Sequence, residues 1–229
     1  MKYLPILLIL LFLQGCDKEE LVPGFPENNY LLEESQRWGE NSGLERLPDK
    51  NLGEGSLELR YWSGFGLFGN KGVIINRIND KWNAYSIDVR MCDVLSQKVG
   101  IPDSLKNLVI IDIQYTDQIN CNIESDENII SEVHQFTDSV FVSELQNDYN
   151  FDKLWKQLKR EGILNLPIEV ERSYAMTDGH SYVIEIKIGE DYRAFISANF
   201  DEFEVDIRAR EMAGIIDETL GTTLNGSSW

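Results

Sequence analysis

The chain has few of the residue types on which most active sites and metal sites depend. Its 229 residues include only two histidines, three cysteines and six prolines. The histidines, His134 and His180, lack the H-x-x-x-H spacing that places two imidazoles on one helical face for zinc. His180 lies between Asp178 and Ser181, but a serine adjacent to its base has no attack geometry, and no G-x-S-x-G elbow is present. The sequence therefore predicts no catalytic residue and no metal ligand.

Basic residues are also scarce. Lys and Arg number 21 against 39 Asp and Glu, which gives a formal net charge of −18 and a sequence pI near 4.4. A field of this sign repels nucleic acid and anionic lipid headgroups, so we expect no nucleic-acid partner. A basic protein partner is compatible with the charge. A well-solvated surface with no partner is the simpler explanation.

No apolar run in the sequence is long enough to span a bilayer as a helix. The longest, residues 4–13, follows Lys2 and ends in Leu13-Gln-Gly-Cys16, an arrangement typical of a secretory signal. The pattern Leu-x-Gly-Cys resembles the lipobox of bacterial lipoproteins. That resemblance implies a signal peptide over residues 1–15 and a lipid anchor on Cys16. It also implies a body in the cell envelope, facing the periplasm or the cell exterior. The alternative is an ordinary signal peptide with an incidental cysteine.

Export changes how the other two cysteines are interpreted. In an oxidising compartment Cys92 and Cys121 form an even pair, so a disulfide between them is a reasonable hypothesis. It would contribute about 3 kcal/mol in the chain-entropy model. Two buried free thiols are the alternative.

A linker and a globular body follow the anchor. Residues 17–29 are acidic and contain two prolines, which predicts a flexible tether with an r.m.s. span of ~20 Å. The lipidated tether is therefore assigned to residues 16–29 and the body to residues 30–229. The chain is 42% apolar, which is enough to bury a core in one or two small domains.

Within the body, four short blocks occur twice in the same order. They predict two halves, residues 30–100 and 150–221, joined by a segment over 101–149. Each half reads as a helix, three antiparallel strands and a helix, so the predicted class is α+β, with antiparallel sheets and packed helices. Chance is the alternative, because hairpins and amphipathic helices use few residue types. The matching blocks are 43–48 with 162–167, 60–62 with 172–174, 73–85 with 183–195, and 91–100 with 212–221.

Local signals define individual elements. Phe151, Leu154, Trp155 and Leu158 recur at helical spacing, and Asn150 can cap that helix. A calcium loop over 148–159 is excluded, because lysines occupy the positions of its glycine and its bidentate glutamate. The remaining predictions are strands over 168–174, 181–188, 192–198, 108–115 and 132–145, an acidic loop over 122–128, a helix over 203–220 and a helix stop at residue 162.

One stretch of the sequence matches the spacing of a dinucleotide-binding motif. Residues 64–69, Gly-Phe-Gly-Leu-Phe-Gly, match G-x-G-x-x-G, which binds a pyrophosphate only where it follows a strand and opens a helix. Here the following sequence, from Val73 onward, is typical of a strand. We therefore predict a strand-to-strand connection and no nucleotide cofactor, with Phe65 and Phe68 as a contact for a partner or a membrane.

These observations favour a lipid-anchored envelope lipoprotein with a non-catalytic binding or structural role and no cofactor. Its partners would be the membrane, reached through the anchor, and a protein. That protein would be basic if the negative charge of the body selects the partner. One alternative is an immunity-like inhibitor of a basic secreted toxin, which rests on analogy. Another is an envelope hydrolase using Asp and Glu residues.

Overall fold

Three helices and eight strands make up the regular structure of the described residues. The computed structural model describes residues 21–26, 29–64, 70–90, 109–113, 119–123, 139–145, 149–166, 181–198 and 204–220. The helices are α1 (Tyr30–Asn41), α2 (Phe151–Arg160) and α3 (Glu204–Leu220). The strands are β1 (Leu57–Ser63), β2 (Asn70–Ile78), β3 (Lys81–Arg90), β4 (Val109–Ile113), β5 (Ile119–Ile123), β6 (Ser139–Glu144), β7 (Ser181–Ile188) and β8 (Asp191–Ala198).

Six of the strands form one antiparallel sheet in the order β6-β3-β2-β1-β7-β8, and β4 pairs with β5 separately. Two tight hairpins connect neighbours in the large sheet. The β2–β3 turn places Asn79 and Asp80 at positive φ, and Gly189 has φ 57° in the β7–β8 turn. These left-handed conformations match the twist of the flanking strands. The predicted α+β class is confirmed.

The two faces of the sheet carry different layers because side chains alternate along each strand. We call face A the side of Leu57, Leu59 and Tyr61, and face B the side of Glu58, Arg60 and Trp62. Face A packs on α2 and α3 through an apolar cluster that includes Leu158 of α2. Face B packs on α1, whose Trp38 contacts the ring of Trp62 with centroids 6.1 Å apart.

The helix ends follow their local sequence. Asn29 caps α1 by accepting the N–H of Leu31 at 3.0 Å, and Asn150 caps α2 by accepting the N–H of Lys153 at 2.9 Å. Past the C-termini, Gly43 and Gly162 adopt φ of 83° and 88°, a conformation that costs little only for glycine. The predicted cap at Asn150 and stop at Gly162 are confirmed.

Part of the predicted tether belongs to the fold. Leu21 is only 1% exposed and lies in the face A cluster. Gly24 lies alongside β8, where its N–H donates to the Tyr192 carbonyl at 3.1 Å and its carbonyl accepts from the Ala194 N–H at 2.9 Å. The prediction of a flexible linker as far as residue 29 is corrected here, because a buried leucine and unpaired strand edge hold this segment in place.

Other element predictions agree with the structure where it describes them. The strands over 181–188 and 192–198 and the helix over 203–220 are confirmed within one residue, as β7, β8 and α3. The strand predicted over 108–115 corresponds to β4. The C-terminal part of the strand predicted over 132–145 corresponds to β6. The predicted start of the acidic loop over 122–128 is wrong, because Asn122 and Ile123 belong to β5 and pair with β4. The strand predicted over 168–174 lies outside the described residues.

The internal repeat is not confirmed, since the first strand of its second half (168–174) and the closing helix of its first half (91–100) lie outside the described residues. Where both halves are described, matched positions lie on opposite faces of the sheet. Trp38 contributes to the apolar cluster on face B and its counterpart Trp155 to the apolar cluster on face A. A two-fold axis along β1 would exchange the faces in this way. The same exchange relates Val73 to Val183, Ala84 to Ala194, and Leu47 to Leu166.

Candidate functional site

A row of buried charges crosses face B beneath α1. Glu58 and Arg60 of β1 lie directly opposite Lys187 and Glu185 of β7. Glu58, Arg60 and Glu185 are fully buried, and Lys187 is 3% exposed. Charges of both signs alternate across the strand pair, which offsets part of the large cost of removing them from water. We call these four residues, with the groups that bond to them, the face B cluster.

One half of the face B cluster secures the loop that follows α1. Glu58 accepts from Arg60 Nε at 2.8 Å and from Lys50 Nζ at 2.5 Å. Arg60 Nη2 also donates to the Glu45 carbonyl at 2.7 Å, and Lys187 Nζ donates to the Pro48 carbonyl at 2.7 Å. Charged donors to carbonyls make strong hydrogen bonds, so residues 45–50 are fixed to the sheet without regular structure of their own.

The other half surrounds Glu185. Its Oε1 accepts from Tyr192 Oη at 2.9 Å and from Gln36 Nε2 at 3.4 Å, and its Oε2 accepts from Trp62 Nε1 at 3.0 Å. Gln36 in turn accepts from Arg46 Nη2 at 2.9 Å. Helix α1, strand β1 and strand β8 thus converge on one carboxylate.

The pKa of Tyr192 is raised well above its ordinary value of 10. Burial is the main cause, and the negative charge of Glu185 adds to it. The pKa of Tyr61 on face A is raised in the same way, first by burial and then by Asp217, which accepts from Tyr61 Oη at 3.0 Å. Both phenols therefore stay protonated in the folded protein at a pH that ionises them in the unfolded chain.

This protonation gives a measurable result. The stability that these phenols contribute is complete below pH 10 and declines as the pH rises above it, because only the unfolded chain then loses the protons. After a rapid jump to alkaline pH, we expect Tyr192→Phe to leave the native tyrosinate absorbance unchanged. The same variant unfolded in urea at that pH is the control, and its absorbance should be lower by one phenol than that of the unfolded wild-type chain. A loss of one phenol from the folded Tyr192→Phe protein would contradict the burial effect.

The geometry limits what the face B cluster can do chemically. Both oxygens of Glu58 and of Glu185 accept hydrogen bonds inside the fold, and neither side chain is exposed. A general base must reach a substrate proton, and these two carboxylates cannot. Arg60 Nη1 has no hydrogen-bond partner in the described part of the chain, and it lies 3.4 Å from the position that a Cβ on Gly39 would take. The cluster is therefore suited to holding α1 and its loop on the sheet.

The glycine-rich stretch has the predicted context. Strands β1 and β2 pair antiparallel from Leu57 with Arg77 to Ser63 with Lys71, so residues 64–69 connect two adjacent strands. The residues that follow form β2 and not a helix, which removes the amide cluster that a pyrophosphate needs. The interpretation as a strand-to-strand connection is confirmed. Phe65 and Phe68 themselves lie outside the described residues.

Several other predicted positions also lie outside the described residues, namely Cys16, Cys92, His134 and His180. Cys121 belongs to β5, opposite Ile111. The proposed bond between Cys92 and Cys121 therefore stays a prediction.

Among the positions that the structure does describe, no three His, Cys, Asp or Glu residues are grouped to hold a metal ion. None of the helices found there is long and apolar enough to cross a membrane.

The sequence did not identify the face B cluster. A strand that alternates leucine with charged residues, as Leu57 to Arg60 does, is typical of a sheet with one solvated face. A signal was nevertheless present. Trp62, a large apolar residue, occupies the next position on the same face as Glu58 and Arg60, which indicates that this face is buried. In the antiparallel strand β7, Glu185 and Lys187 have the order of charges that places each opposite a residue of opposite sign.

Apart from Ile78 at the β2–β3 turn, the exposed large apolar side chains of the described residues lie within residues 22–30 and on β6. Val22, Phe25 and Tyr30 are 52%, 49% and 59% exposed, and two of them lie on the segment that covers β8. Phe141 and Val142 of β6 are 46% and 49% exposed. Among the described residues, β6 pairs only with β3 and so forms the other edge of the sheet.

No protein-family model matches the chain, and no curated protein shows significant similarity to it.

Proposed function

We propose that this protein is a lipid-anchored lipoprotein of the bacterial cell envelope, and that its body acts by binding or by a structural role and not by catalysis. The observation that carries the second part is the state of the face B cluster. Its two buried carboxylates, Glu58 and Glu185, are fully engaged by donors from α1, the following loop and the sheet. Ionisable groups that an enzyme would turn toward a substrate are used here to assemble the fold.

The anchor rests on the lipobox-like sequence that ends in Cys16. Acyl chains on that cysteine would hold the body at a membrane whatever else it binds, because two or more chains give stable anchoring. This accounts for a chain that begins with an apolar run and continues directly into acidic sequence.

Anchoring is tested by Cys16→Ala in the full chain. We expect the wild-type protein to incorporate labelled palmitate and to sediment with membranes, and the variant to lose both properties, because the thiol is the site of acylation. Cys121→Ala is the matched control and should retain the label. A Cys16→Ala protein that still fractionates with membranes would overturn the lipid anchor.

The binding role is supported by the β6 edge. Phe141 and Val142 lie on opposite faces of one strand and are both about half exposed. An edge strand with apolar groups on both faces offers main-chain hydrogen bonds and side-chain contacts to an added strand. We propose that this edge receives a segment of a protein partner in extended conformation.

The β6 edge can be tested by recovering partners from detergent-solubilised membranes with the anchor intact. The double variant Phe141→Ser, Val142→Ser should lose the partner or bind it about tenfold or more weakly, since truncation of apolar anchors at an interface costs ~1–2 kcal/mol or more. Ile78→Ser is the control, because Ile78 is 42% exposed at the β2–β3 turn. Equal recovery with both variants would place the binding site elsewhere.

The charge of −18 favours one version of the binding role, an immunity-like inhibitor of a basic secreted protein. Attraction between an acidic body and a basic partner accelerates association and weakens as salt is added. A basic partner whose recovery falls steeply with salt would support this version. A neutral partner recovered equally at low and high salt would favour a structural role in an envelope complex.

A further inference from the structure

We infer that residues 21–25, which we call the N-terminal segment, turn the β8 edge of the body toward the membrane, with Val22 and Phe25 in contact with the lipid surface. The inference rests on the proposed anchor at Cys16. It is carried by the docking of residues 21–24 on the sheet together with the exposed apolar side chains of the same segment.

The docked segment shortens the tether. Leu21 is buried in the face A cluster, and the Val22 N–H donates to the Leu164 carbonyl at 3.1 Å. The Arg193 guanidinium donates to the Val22 carbonyl, and burial lowers the pKa of Arg193. Only five residue steps then separate Cys16 from a point fixed to the body. Fully extended, they span at most about 18 Å, and as a flexible chain about 12 Å.

This length restricts the orientation of the body. Cys16 would lie at the headgroup level, because its acyl chains are in the bilayer, so Leu21 is held within about 18 Å of that level. Gly24 lies beside β8, at one end of the sheet order, and Leu21, three residues before it, lies in the apolar cluster on face A. Strand β6 is at the other end of the sheet order, five strand spacings away along the sheet. The β8 edge is therefore proximal to the membrane and the β6 edge distal.

The side chains of the segment fit a lipid surface. Val22 and Phe25 are about half exposed although they follow the buried Leu21 closely, and Phe25 rests on the ring of Tyr192 with centroids 5.8 Å apart. An aromatic ring supported from one side and open on the other is suited to the bilayer interface. The acidic charge of the body disfavours anionic headgroups, so the contact is expected with zwitterionic lipid.

Photocrosslinking of the acylated full chain in phosphatidylcholine vesicles tests the inference. The photoreactive residue p-benzoylphenylalanine replaces Phe25, or Val22 in a second variant, and Phe141 in the matched control. We expect lipid adducts at positions 25 and 22 and only background at position 141. An unchanged thermal melt shows that each variant folds, and radioactive palmitate shows that it is acylated.

The outcomes separate the inference from the anchor on which it rests. A chain that takes up no palmitate overturns the lipoprotein proposal and the inference together. An acylated, vesicle-bound chain with no lipid adduct at either position, or with equal adducts at position 141, overturns the inference alone. A crosslink at position 25 to a second copy of the chain also overturns it, because the segment would then be a protein interface.

Discussion

Replacing Glu58 by glutamine is expected to destabilise the protein by about 3–5 kcal/mol, the range found when one partner of a buried ion pair is removed. Glu58 is fully buried and forms ion pairs with both Arg60 and Lys50. The amide has nearly the same shape but no charge, so the fully buried Arg60 guanidinium is left without its counter-ion. Because whole domains are stable by only about 5–15 kcal/mol, urea unfolding should show a large shift of the midpoint.

Glu54→Gln is the matched control, since Glu54 is exposed in the same loop region, and its effect should stay within about 0.5 kcal/mol. A second comparison separates ion pairing from simple loss of shape. Replacing Glu58 and Arg60 together by leucine and methionine should cost less than the two single changes added, because neither charge is then left alone. Additive costs would contradict the pairing.

Gly72→Ala is expected to destabilise the protein by about 1–3 kcal/mol through overpacking. Gly72 lies opposite Trp62 in the β1–β2 pair. A Cβ at this position would lie 2.5 Å from both Cε3 and Cζ3 of the Trp62 ring, well inside van der Waals contact. The ring cannot move aside easily, because it packs on Trp38 and its Nε1 donates to Glu185.

Gly53→Ala is the control for this clash. No atom lies within 4 Å of a Cβ at Gly53, and its backbone is not in the left-handed region, so the change should be nearly neutral. Adding Trp62→Leu to Gly72→Ala should cost less than the sum of the two single changes, since a smaller side chain leaves space for the methyl group. Thermal or urea unfolding measures the three single variants and the double variant, and a Gly72→Ala protein as stable as Gly53→Ala would contradict the close contact.

The sequence predicted those elements whose signals are local. Helix α2 has an apolar stripe, an Asn150 cap and the Gly162 stop, and all three are visible within a dozen residues. The hairpin of β7 and β8 has alternating residues and a Gly189 turn. These features need no knowledge of distant contacts, and the α+β class follows from them.

The sequence could not predict features that depend on distant partners. Glu58 and Glu185 are 127 positions apart in the chain, and only the pairing of β1 with β7 brings their strands together beneath α1. Composition classed residues 17–29 as a tether because it is polar and contains prolines. The burial of Leu21 depends on α2, α3 and face A of the sheet, which come together only in the folded chain.

The covered β8 edge also has a consequence for self-association. A sheet with two open edges can add copies at both ends and grow into a fibre, whereas a sheet with one open edge can only close on itself as a pair. Gly24 bonds to β8 at Tyr192 and Ala194 only, and β6 is the other edge strand of the six-stranded sheet among the described residues. Removal of residues 21–24 would free the backbone of Tyr192 and Ala194 and so make β8 more available to a second copy of the chain.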